Sequence, residues 1–123
     1  MDDLKQLDRA RQAMLDAKAE IQRLREKIAK EKCPLRVGEH VTIVRDGTEF
    51  QGIVDSIHPA VDRRELLDPV VGAPAGWAVS GPKIKKDGEQ SKLTFGLSSL
   101  DAELNDGKWI VTTPSIDDVF ASL

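Results

Sequence analysis

The sequence predicts an α+β chain: a long N-terminal helix of coiled-coil type, a small antiparallel β-barrel or curved sheet, and a short C-terminal helix. Three observations carry this. Residues 2–32 contain no Gly or Pro and repeat their apolar side chains in heptads. From Val37 onward the period changes to alternation, and Asp-Gly dipeptides recur at 46–47, 87–88 and 106–107, between the alternating runs.

The helix is marked at both ends. Asp3 and Gln6 have capping-box spacing, and Asp2 and Asp3 place negative charge at the positive end of the helix dipole. Lys27, Lys30 and Lys32 place positive charge at the other end, and Pro34 stops the helix. Leu7, Met14, Ile21 and Ile28 fall at one heptad core position, and Ala10, Ala17 and Leu24 fall at the other. A rod of about 28 residues, at about 1.5 Å each, is roughly 42 Å long. That exceeds the width of a β-domain of about 90 residues, so part of the seam would face water in a monomer. Residues 1–33 are therefore expected to be a dimerisation helix, with packing along the chain's own domain as the alternative. The alanines let two helices approach closely and also reduce the apolar area buried per heptad.

Residues 34–123 are expected to form the β-rich domain. VGEHVTIVRDGTEFQGIVDSI reads as strands at 41–45 and 50–57, joined across Asp46-Gly47, a dipeptide that favours a tight hairpin turn. Further strands are expected at 77–80, around Ile84, at 92–97 and at 108–113. Five or six short strands without long intervening helices point to an antiparallel barrel or curved sheet. Residues 58–76 do not alternate and are expected to be a long loop. Asp62 and Glu65 have capping-box spacing for one helical turn, and Pro59, Pro69 and Pro74 stiffen the rest. Val61, Leu66, Leu67, Val70 and Val71 argue that this loop is not wholly solvated. In the last ten residues, Ser115 is the expected N-cap of a helix presenting Ile116, Val119, Phe120 and Leu123 on one face.

Val37-Gly38-Glu39-His40-Val41, then Gly47, then Gly52-Ile53-Val54, resembles the opening of KOW-type domains among the SH3-like barrels. The resemblance spans residues 37–57 and implies an SH3-like domain of a kind that contacts RNA or protein. Glu39, Asp46, Glu49 and Asp55 depart from what a phosphate-contacting surface needs.

Composition sets the outer bounds. The 123 residues are 40% hydrophobic and 32% charged, the balance of a folded chain. Phe50, Phe95, Phe120, Trp77 and Trp109 are the aromatics, so the core is expected to be small and built mainly of Val, Ile and Leu. No apolar run reaches membrane-spanning length, and the N-terminus is charged where a signal peptide is apolar; a cytoplasmic location is expected, with no membrane partner. The single cysteine, Cys33, is consistent with a reducing compartment. Nine Lys/Arg against seven Asp/Glu in residues 1–32 contrast with nine against fourteen in residues 33–123, so the β-rich part is acidic.

No catalytic constellation emerges, and an enzyme is not expected. His40 and His58 lack metal-ligand spacing, so neither a metal nor a cofactor is implied. Cys33 falls at a helix C-terminus, where the dipole disfavours a thiolate. Ser98, Ser99, Asp117 and Asp118 lack the context of a nucleophile and its partners.

The expectation is thus a non-enzymatic homodimeric module that binds a protein partner and acts by occupancy. It would serve as a regulator, an adaptor or an inhibitor, and phage or mobile-element inhibitors that block a host complex are of this kind. Partner contacts are expected from Arg63, Arg64, Glu65 and Trp77 on the long loop and the following strand, with the acidic surface of Glu39, Glu49 and Asp55 as a second candidate. Trp77 has a competing role in the core, and the arginines have competing pairs in Asp62 and Asp68. Two alternatives stand beside this. One is a nucleic-acid-binding regulator using Arg11, Lys18 and Arg25, spaced every seven residues, and the Lys83-Lys85-Lys86 hairpin; the other is a small-molecule binding or sequestering protein using Arg63, Arg64 and Trp77.

Overall fold

The computed structural model describes residues 2–112. One helix, α1 (Asp2–Lys32), precedes seven strands: β1 (His40–Arg45), β2 (Thr48–Ile53), β3 (Ser56–Val61), β4 (Ala75–Ile84), β5 (Gln90–Ser98), β6 (Ala102–Asn105) and β7 (Lys108–Val111). The expected α+β architecture holds, as a long helix followed by a curled sheet in the form of a half-barrel. The C-terminal helix expected from Ser115 lies outside the described residues.

The tight turns follow local chemistry. Asp46-Gly47 and Asp106-Gly107 each join adjacent strands through two residues with φ near +50° and +75°. Both residues of a type I′ turn need positive φ, which Gly adopts freely and Asp tolerates.

The sheet runs β3-β4-β2-β1-β7-β6, with β5 on the other edge of β4. It is mixed, not wholly antiparallel as expected, because β7 lies parallel to β1, with Ile43 opposite Trp109 and Arg45 opposite Val111. β6 takes the outer edge, and the Asp106-Gly107 turn then sends β7 back along β1 in the same sense. Arg45 Nη2 donates to the Gly96 carbonyl at 3.2 Å, linking the end of β1 to β5 across the curled sheet.

Two strands differ from expectation in an instructive way. The run expected at 50–57 is divided at Val54-Asp55 into β2 and β3, and both pair with the same edge of β4. β4 itself continues through Gly81-Pro82, a dipeptide that reads as a breaker. Gly81 sits where β4 changes partner from β3 to β2, and a Cβ there would collide with the Ile53 carbonyl oxygen. Only glycine lets the two backbones cross so closely.

One cluster forms the core. Val41, Ile43, Val54, Trp77, Val79, Phe95, Leu97 and Trp109 are buried together with Ala29 of α1 and Leu35 of the connector. Phe95 lies across Gly52, where a Cβ would collide with the ring. The end of α1 packs on β3 and β4 and helps close the concave side of the sheet.

Candidate interaction surface

The surface is built from α1 and the segment between β3 and β4. Along α1 every described residue up to Glu20 is exposed, whereas Ile21, Arg25 and Ile28 are half-buried and Ala29 is fully buried. At about 100° per residue, Leu7, Ala10, Met14 and Ala17 lie within about 40° of the line through Ile21. The exposed stripe is thus a continuation of the face that α1 packs on its own sheet. The heptad seam divides: Ile21 and Ile28 serve the chain's own body, Leu24 stays exposed beside it, and Leu7, Ala10, Met14 and Ala17 face solvent.

The loop is shorter than expected. β3 runs on through His58-Pro59-Ala60-Val61 as an edge strand, where a proline is tolerated, and β4 begins at Ala75. Asp62 caps a single 3-10 turn, Arg63–Glu65, by accepting from the Arg64 backbone N–H at 2.9 Å. Its carboxylate also accepts from the Arg64 guanidinium, and these bonds hold the Asp62 carboxyl below the usual aspartate range. The capping box is therefore half made: Glu65 does not reach back but pairs with Arg25 of α1 at 2.9 Å and accepts from the Val70 N–H at 3.3 Å. Both side chains of the ion pair are largely shielded, and they fasten the loop to the helix.

Beyond this fastening the apolar side chains expected to be shielded divide: Val61 at 43% and Val70 at 37% exposure are more than half covered, whereas three others, contrary to expectation, are not packed. Leu66 is 79% exposed, Leu67 is 94% exposed and Val71 is fully exposed. Leu66, Leu67 and Pro69 line an open groove of about 280 Å³ against Lys18, Ile21, Gln22 and the Arg25–Glu65 pair.

The residues expected to bind a partner separate into different roles. Trp77 is in the core at 6% exposure, edge-on to Trp109 with ring centroids 5.2 Å apart, so it offers nothing to a partner. Its backbone N–H donates to Ser99 Oγ at 3.0 Å, which gives that serine a structural task. Glu65 is committed to Arg25, and Arg64 to Asp62. Arg63 is exposed and lines an open cleft of about 620 Å³ with Asp62, Ser98, Ser99, Asp101 and Thr112.

The acidic surface does not form one patch. Glu39 and Asp55 sit at the end of β1–β2 where the Val54 N–H donates to the Glu39 carbonyl at 2.8 Å. Glu49 lies beside the Asp46-Gly47 turn at the opposite end, about 15–20 Å along the ladder, and is paired with Lys108. All three are exposed.

The basic features are similarly divided. Arg11 pairs with Asp8 at 3.0 Å and Arg25 with Glu65, leaving Lys18 without an ion pair among the described residues. In the hairpin, the Lys83 ammonium sits 4.4 Å over the Phe50 ring, while Lys85 and Lys86 point to solvent beside Asp87 and Glu89. Phosphate binding draws on clustered free cations, and this arrangement does not assemble them.

His40 and His58 are exposed, and among the described residues no group of His, Cys, Asp or Glu has the spacing to hold a metal ion. Burial pushes the Cys33 thiol up, away from the thiolate, and its sulfur lies 3.5 Å from the Leu35 carbonyl. Among the described residues no helix is long and apolar enough to cross a membrane.

The Arg25–Glu65 pair and the exposed leucines were the features hardest to read from sequence. Arg25 belongs to a visible line of cations and Glu65 to a visible capping pattern, but only the fold brings them together across 40 positions. Comparison with protein-family models, with curated proteins and with solved structures finds no match for this chain.

Proposed function

We propose that this chain is a non-enzymatic homodimeric protein-binding module that acts by occupancy, as a regulator, adaptor or inhibitor. One observation carries the reading. Seven large exposed apolar side chains lie on two segments that are fastened together, Leu4, Leu7, Met14 and Leu15 on the projecting part of α1 and Leu66, Leu67 and Val71 on the loop, whereas Val37, Leu93 and Leu104 stand singly elsewhere. Contiguous exposed apolar surface of this kind marks an association site. α1 is the assembling element, and the Arg63 cleft beside the loop is the partner-facing element.

Sedimentation tests the assembly: wild-type protein at micromolar concentration is expected to be a dimer, and Leu7→Asp/Met14→Asp a folded monomer. A wild-type monomer defeats this part. Capture from nuclease-treated source-cell extract tests the partner side. Arg63→Ala is expected to lose the captured protein and Arg64→Ala to keep it, because Arg64 is already paired with Asp62. Retention by both variants moves the contact away from the cleft.

A further inference from the structure

Resting on the dimer reading, we infer that two copies pair through antiparallel α1 segments and that each helix tip seats in the groove between the other copy's α1 and its 66–69 loop segment. The occupant of the groove is a second copy of this chain. The face of α1 from Ile21 through Arg25 and Ile28 to Ala29 meets the chain's own sheet and loop, with Leu24 left exposed beside it, so the continuous uncovered stretch open to a partner is that up to about residue 20.

A parallel pair has no room for the bodies. Helices in contact lie about 8–10 Å apart, and each β-domain, with a radius of gyration of about 12 Å, sits on the seam face just one turn beyond the contact. Two such domains would have to occupy the space between the helices. Reversing one helix removes the conflict. If residue 7 of one copy faces residue 14 of the other, each body begins just past the partner's helix tip, and the exposed segments overlap along their whole length.

This register also completes the chemistry. Leu7 meets the partner's Met14, and Leu4, on the edge of the face, lies on the side where Leu66 and Leu67 of the other copy stand exposed. The three cations spaced along α1 then each have an acid: Arg11 has Asp8 of its own helix, Arg25 has Glu65 of its own loop, and Lys18 faces the partner's Asp3. About two heptads of helix pairing alone would be marginal, so the loop contact at each end enlarges the interface where enlargement is needed. The arrangement is isologous and closes at two copies.

Cysteine cross-linking in a Cys33→Ser background tests the direction. Leu7 and Met14 are exposed and outside the core, so Leu7→Cys and Met14→Cys chains are expected to fold. On mild oxidation an equimolar mixture of the two is expected to give mostly the mixed disulfide dimer, and Leu7→Cys alone mostly monomeric chain on a denaturing gel. Efficient self-linking of Leu7→Cys, in a protein that sediments as a dimer, overturns the antiparallel arrangement and leaves the dimer intact. A dimer that forms neither disulfide removes this stretch of α1 as the interface. A wild-type chain that sediments as a monomer removes the dimer reading and this inference together.

Discussion

Residues 2–20 and 21–32 of α1 are one continuous helix with one heptad pattern, yet they meet opposite surroundings. In the first stretch Leu7 and Met14 are about half exposed, and the visible polar contacts are local ones such as Arg11–Asp8 and Gln12–Asp16. In the second, Ala29 enters the core, Ile21 and Ile28 are half-buried, and Arg25 reaches 40 residues along the chain to Glu65. A heptad seam specifies that a face will be covered without specifying by what. Here the small residue, Ala29, meets the chain's own sheet at close range, while the seam beyond the sheet's edge stands in solvent.

The largest effect is expected from a substitution in the core that the covered stretch joins. Trp77→Ala removes a buried ring from the same cluster as Ala29 and is expected to destabilise the chain by about 3–5 kcal/mol in chemical denaturation. Leu15→Ala on the exposed stretch, measured in the Leu7→Asp/Met14→Asp background, is expected to change it by no more than about 0.5 kcal/mol. Similar losses at both positions would mean that the projecting stretch has a covering within its own chain.

A smaller effect is expected at the junction of the two stretches. A double-mutant cycle with Arg25→Met and Glu65→Gln should give a coupling of about 1–2 kcal/mol, because the pair is largely shielded and joins elements distant in sequence. A coupling near zero would mean that apolar contact alone holds the loop against α1.

The smallest effect is expected from pH. Asp62 is held below the ordinary aspartate value first by the Arg64 side-chain bond and then by the Arg64 backbone N–H. With the folded value depressed below the unfolded value of about 3.9, its contribution is present above that pH and lost as pH falls through the folded value. The Arg64 amide resonance should therefore titrate below about pH 4 while core resonances stay in place. Loss of that titration in Asp62→Asn would confirm the group, and a titration unchanged in that variant would assign it elsewhere.

Much of the β-region was legible because its signals are local. Asp46-Gly47 and Asp106-Gly107 form the turns their dipeptides favour, and Val41 and Ile43 alternate inward as the pattern around them indicates. β4 was read as two pieces because Gly81-Pro82 is locally a breaker, whereas its place in the sheet depends on the Ile53 carbonyl of another strand. The candidate site was less legible still. Trp77 can serve as a contact or as core, and Trp109, 32 positions later and edge-on to it, decides the matter.

From the sequence alone came the extent of α1, with acids at one end, lysines at the other and Pro34 beyond, together with the tight turns and the α+β class, since each depends on neighbours within a few residues. Tertiary structure alone decided that β7 runs parallel to β1, that Glu65 turns from its cap to Arg25, and that the apolar loop residues at 66, 67 and 71 stand in solvent. Those outcomes depend on which distant surfaces meet. Local pattern encodes how strongly a side chain avoids water, and only the folded chain shows what is near enough to cover it.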